Sequence, residues 1–125
     1  MNEPRGVERR RSQRTKCILK ASYRVPGGKT SIGETRDISD GGVLLMVSGD
    51  IKKDDLIEME ISLGMKEGPL KARGRVVQTR QAGSSGEDGL LAGVAFLALN
   101  DRQQEALGKK IWHQILKEST RFGRE

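Results

Sequence analysis

At 125 residues, with a hydrophobic fraction of 34% and a formal charge of +6, the chain has material for one modest core and not for two. Its one cysteine, Cys17, rules out an internal disulfide, and with His113 as the only histidine it argues against a zinc site or a Cys/His nucleophilic pair. No apolar run is long enough to span a bilayer, and none follows the charged N-terminus, so a cytoplasmic protein with neither signal peptide nor membrane insertion is expected.

Residues 1–15 show no apolar periodicity and read as a flexible basic arm. From Lys16 to Val25 the residues Cys17, Leu19, Ala21, Tyr23 and Val25 alternate with more polar ones, the period of a half-buried strand in which Cys17 is a small core residue. Pro26-Gly27-Gly28 turns the chain into a weaker strand at Thr30–Arg36. The polar run Asp37-Ile38-Ser39-Asp40-Gly41-Gly42 then precedes the apolar Val43–Val47. Leu56–Leu63 alternates cleanly, with Ile57, Met59, Ile61 and Leu63 on one face. A turn at Gly64–Pro69 leads to Leu70–Arg80, and the Gly/Ser-rich 82–89 reads as a hairpin loop before Leu90–Leu99.

Some six strands with no helix between them predict an all-β fold, a six-stranded antiparallel Greek-key-like barrel, because parallel pairs need crossovers. The last element changes period. After Asn100-Asp101, either of which can cap a helix, Leu107, Ile111, Trp112, Ile115 and Leu116 share one stripe of a C-terminal amphipathic helix that packs on the barrel. That stripe makes Trp112 a core residue and leaves His113 a solvated or capping role. The expected organisation is an arm over 1–15, a barrel with its helix over 16–118 and a tail over 119–125.

The charge is concentrated in the arm. Residues 1–20 hold seven basic side chains against two acidic ones. Charge alone is compatible with a solvated tail or with nonspecific nucleic-acid contact. Against single-strand binding stands the scarcity of aromatics to stack on: only Tyr23, Phe96, Trp112 and Phe122. Asp37–Gly42 likewise has a plain reading as a turn, through Asp40-Gly41. Together, however, Arg10 and Arg14 with Asp37 suit a guanine and phosphate pocket. Arginine offers a rigid fork of donors to the O6/N7 edge or to phosphate, and the aspartate accepts from the ring N–H and exocyclic amine.

Arg10…Arg14 and Asp37-x-Ser39-x-x-Gly42 resemble the two boxes of the PilZ domain family, RxxxR on a flexible N-terminal segment and D/NxSxxG at the barrel surface. Gly74-Arg75-Val76-Val77 and Gly93-Val94-Ala95-Phe96 are similar to later strands of that family, and the likeness spans roughly residues 8–118. It implies binding of cyclic di-GMP. Arg10 and Arg14 are implied to grip guanine edges and phosphates, Asp37 to receive a guanine Watson–Crick edge, Ser39 to donate its hydroxyl, and Gly42 to let the backbone turn or approach closely. Arg9, just before the first box, adds a guanidinium that implies two ligand molecules per chain. Where many members carry an aromatic, this chain has Gln78. The implied protein is a receptor, not an enzyme, with no cofactor besides its ligand, whose arm changes conformation and which acts on a protein partner in trans. The alternatives are a basic barrel that binds nucleic acid and a non-binding interaction module.

Overall fold

The alternating segments form seven strands: β1 (Thr15–Lys16), β2 (Lys20–Arg24), β3 (Ser31–Ile38), β4 (Gly42–Val47), β5 (Leu56–Ile61), β6 (Leu70–Gln81) and β7 (Leu90–Leu97), followed by helix α1 (Asp101–Gly123). The computed structural model describes residues 14–48, 51–64, 66, 68–81 and 89–123, with side chains through residue 117. The expected hairpin loop over 82–89 falls, but for Gly89, outside the described residues. Six strands close a barrel in the order β3-β2-β5-β6-β7-β4, with β4 pairing back onto β3 and every pair antiparallel. The seventh, β1, adds to the far half of β3 through Thr15↔Ile38 and Lys16↔Asp37. Among the six barrel strands, only the passage from β4 to β5 joins strands that are not neighbours, which makes the topology Greek-key-like. That passage is tied down where it crosses: the Ser48 N–H donates to Tyr23 Oη at 2.9 Å, and the Asp54 N–H to the Val76 carbonyl at 2.7 Å.

Inward residues fill the barrel. Ile38, Leu45, Ile57, Ile61, Leu63 and Val76 are fully buried, and Cys17 lies with them as a small core residue. The strand expected over Lys16–Val25 is interrupted at residues 17–19, although its alternation persists. The cause is Thr35, a buried residue of β3 whose hydroxyl accepts the Leu19 N–H at 2.9 Å and donates to the Cys17 carbonyl. One side chain thus takes up backbone groups that the ladder leaves without strand partners. Thr35→Val keeps the shape and strands both groups in the interior, so thermal or urea unfolding should show a loss of about 2 kcal/mol.

Helix α1 begins at a reciprocal cap. The Gln103 N–H donates to Asn100 Oδ1 at 2.8 Å, and the Asn100 N–H to Gln103 Oε1 at 2.7 Å, so Asn100 is the capping residue. The helix runs on to Gly123, past the end expected at residue 118, since nothing before that glycine breaks it. Ala106 and Leu107 are buried against the barrel, and Ile111 is half-buried beside them. Trp112 corrects the expectation of a core residue: it is 60% exposed, and Leu116, one turn on, is 44% exposed. Five residues past Leu107, Trp112 is rotated by well over a right angle from the buried line, and the barrel reaches only one side of the helix. No described helix is long and apolar enough to cross a membrane.

Candidate functional site

Two β-bulges create an outward-facing recess on the barrel wall. In β3 the side chains alternate, so the buried Thr35 should be followed inward by Asp37. Instead the pairing with β4 slips between Thr35 and Asp37, leaving Arg36 without a partner on β4. The extra residue reverses the remaining alternation, so that Asp37 faces out opposite Leu44 and Ile38 goes into the core. A second slip, between Val76 and Gln78, does the same in β6, where Ala72, Gly74 and Val76 face in while Gln78 and Arg80 face out.

Both bulges end on one row. The register runs Asp37↔Leu44, Leu44↔Gly93 and Gly93↔Gln78 across β3, β4, β7 and β6. Rows on either side align Gly42, Ala95 and Arg75, and Met46, Leu91 and Arg80. The middle of this face is therefore apolar or small, between polar walls on β3 and β6. Leu44 is only 8% exposed although it faces away from the core, so its neighbours rise above it. Gln78 lies over the floor: a Cβ added to Gly93 would sit 3.2 Å from its Cγ.

Arg14 reaches this recess. Its Nη1 donates to Asp37 Oδ1 at 3.2 Å, with the arginine side chain 60% exposed and the carboxylate 20% exposed. Lys16 is registered against Asp37 across β1, and Arg36 stands next to it with Glu34 3.8 Å away. Of these cations it is Arg14 that contacts the aspartate, while the Arg36 guanidinium turns to Glu34. Arg9 and Arg10 lie outside the described residues.

Ser39 and Gly42 are at work within the turn itself. Ser39 is buried; its N–H donates to the Gly42 carbonyl at 2.9 Å, and its hydroxyl accepts the Gly41 N–H at 3.2 Å and makes a long donation of 3.4 Å to the same carbonyl. Gly42 meets β7 so closely that a Cβ would lie 2.3 Å from the Val94 carbonyl oxygen. The second box thus locks the β3–β4 turn and sets Asp37 beside it. Sequence reasoning missed the floor and its far wall, Leu44, Gly93, Ala95, Arg75 and Arg80, for which strand register is the only guide.

A second recess, of about 650 Å³, lies over the outer face of β2, β5 and β6. Four of its five charged lining residues pair, Arg24 with Glu58 at 2.6 Å and Lys71 with Glu60 at 3.9 Å, and Arg73 is the fifth, so the face is a solvated mixed-charge ladder rather than a site of one sign.

Comparison with known proteins agrees with this geometry. No curated protein sequence matches the chain. By structure it is similar to the inhibitor of motility MotI/DgrA of Bacillus subtilis (TM-score 0.73, 15% identity, covering 87% of this chain and 52% of that one). It is similar to MrkH of K. pneumonia in complex with c-di-GMP (TM-score 0.72, 18% identity, 89% and 54%). It is also similar to the PilZ domain of YcgR from Escherichia coli with c-di-GMP (TM-score 0.72, 14% identity, 94% and 99%). The chain spans about half the length of MotI and MrkH. The PilZ domain family model matches residues 8–111, most of a chain folded as a six-stranded barrel in which Arg14 meets Asp37, and the chain belongs to the PilZ domain family.

Proposed function

We propose that the chain is a receptor for cyclic di-GMP. The observation that carries this reading is the Arg14–Asp37 contact, which joins the two boxes at the edge of an apolar outer recess. The c-di-GMP complexes of MrkH and of the YcgR PilZ domain, which share the fold, support it. Arg10 and Arg14 grip guanine edges and phosphates, Asp37 accepts from a guanine Watson–Crick edge, and Gly42 keeps the turn tight beside it. Ser39 turns its long hydroxyl donation toward the ligand. Arg9 supplies a further guanidinium for a second, stacked ligand molecule. The protein performs no chemistry of its own. Ligand draws the arm onto the barrel, and the reshaped surface acts on a protein partner in trans, as a two-state switch requires.

Calorimetric titration tests this. Cyclic di-GMP should bind in preference to GTP, GMP and cyclic di-AMP, at two molecules per chain, with Arg9→Leu reducing the ratio to one. Equal affinity for cyclic di-GMP and GTP would sink the receptor reading. A wild-type ratio of one would remove Arg9 from the site.

A further inference from the structure

The side of α1 that turns away from the barrel carries Trp112 and Leu116, one helical turn apart and both open to solvent. A shallow cleft of about 680 Å³ beside them, between the helix and the β5–β6 turn, is lined by Lys66, Lys109, Lys110, His113, Lys117 and Trp112. No carboxylate is among its described lining residues; in sequence, Glu67 follows Lys66, Glu118 follows Lys117 and Glu105 stands two turns before Trp112. None of these residues belongs to the recess around Asp37.

We propose that this face docks the protein on the surface of an anionic phospholipid bilayer, without crossing it. Two apolar side chains do not make the three or four anchors over two turns that a partner helix needs, nor the roughly 800 Å² per partner of a specific protein interface. They do suffice for shallow contact with the interfacial layer, where an indole is favoured at headgroup depth. Lysines on flexible stems then reach lipid phosphates while their methylenes lie along the apolar boundary. A second copy of this chain is disfavoured by like charge, and a nucleic acid would leave Leu116 without a complement. Lys66, Lys110 and Lys117 beside one aromatic ridge, on a chain of net charge +6, complement a negative plane.

Trp112 is the only tryptophan, so its fluorescence reports on this face alone. With the full chain and vesicles of phosphatidylglycerol and phosphatidylcholine, emission should shift to shorter wavelength and the protein should co-sediment. Pure phosphatidylcholine should do neither. Lys66→Glu with Lys117→Glu should weaken partitioning by about 30-fold or more, from the loss of two cationic contacts alone. Leu116→Ser should weaken it with the charge unchanged. The same charge reversal at the exposed Lys29 and Lys53, outside the patch, should cost far less. Three results would each overturn the proposal. Co-sedimentation with unshifted emission would show that another surface binds. Equal losses for both lysine pairs would show attraction by net charge only. An emission shift with duplex DNA or an acidic peptide but not with vesicles would assign the face to a different partner.

Discussion

Arg14→Ala and Asp37→Ala should each weaken cyclic di-GMP binding by about 2 kcal/mol or more, roughly 30-fold, while leaving the folded protein almost as stable as before. The two effects separate because the groups sit differently in the free and the bound states. Without ligand, Arg14 and Asp37 face each other across 3.2 Å with the arginine largely in water. Such a pair contributes no more than about 1 kcal/mol to stability, so losing it is cheap and a ligand can displace it cheaply. Once a guanine covers the carboxylate, the same aspartate is desolvated against its donors, and truncation leaves a buried N–H edge without an acceptor. Arg14→Lys should also lose affinity at low salt, since an ammonium keeps the charge and lacks the planar fork. A polyelectrolyte site would tolerate that exchange and weaken steeply with salt instead. Titration of the three variants beside their urea unfolding curves decides it; Asp37→Ala within threefold of wild type would remove Asp37 from the ligand's contacts.

Much of this geometry is visible in the residue pattern, and the parts that are not share a cause. Leu56–Leu63 announces its inward face because every second residue is apolar, and Ile57, Met59, Ile61 and Leu63 are all buried. The two boxes are legible because few residue types offer a planar fork of donors or the matching carboxylate acceptor. The bulges at Arg36 and Val77 carry no compositional mark, yet they decide which way Asp37 and Gln78 point. Strict alternation from Thr35 would bury Asp37, which instead meets Arg14 on the outer face. The interruption at 17–19 is likewise invisible locally, since its cause, the Thr35 hydroxyl, is distant in sequence. Trp112 shows the opposite limit. A broad apolar stripe drawn from Leu107 to Leu116 takes in Trp112 at its edge, but how wide a stripe the barrel covers depends on the curvature of the wall it meets, and that wall stops short of Trp112.

Gly42→Ala should be the most damaging single methyl in the molecule's second box, and through the fold rather than the ligand. The added Cβ would stand 2.3 Å from the Val94 carbonyl oxygen and 3.3 Å from Ala95 Cα, both backbone atoms of the strand that pairs with β4. No rotamer relieves a clash between backbones, so β4 and β7 must separate just where the Phe96 N–H donates to the Gly41 carbonyl. Overpacking of this kind costs about 3 kcal/mol, which lowers the unfolding midpoint of a domain this size by about 10 °C or more. Two neighbouring glycines calibrate the reading. At Gly33, outside both boxes, a Cβ would meet the Met46 carbonyl oxygen at 2.2 Å, so Gly33→Ala should destabilise to a similar degree. At Gly41 nothing lies within 4 Å, and Gly41→Ala should unfold within about 0.5 kcal/mol of wild type. If Gly42→Ala instead melts with the wild type yet fails to bind cyclic di-GMP, the glycine serves the ligand's approach and the barrel accommodates the methyl. If it melts early together with Gly33→Ala, the last residue of the D/NxSxxG box is a requirement of barrel closure, and the turn that presents Asp37 is held by the same contact that seals β4 to β7.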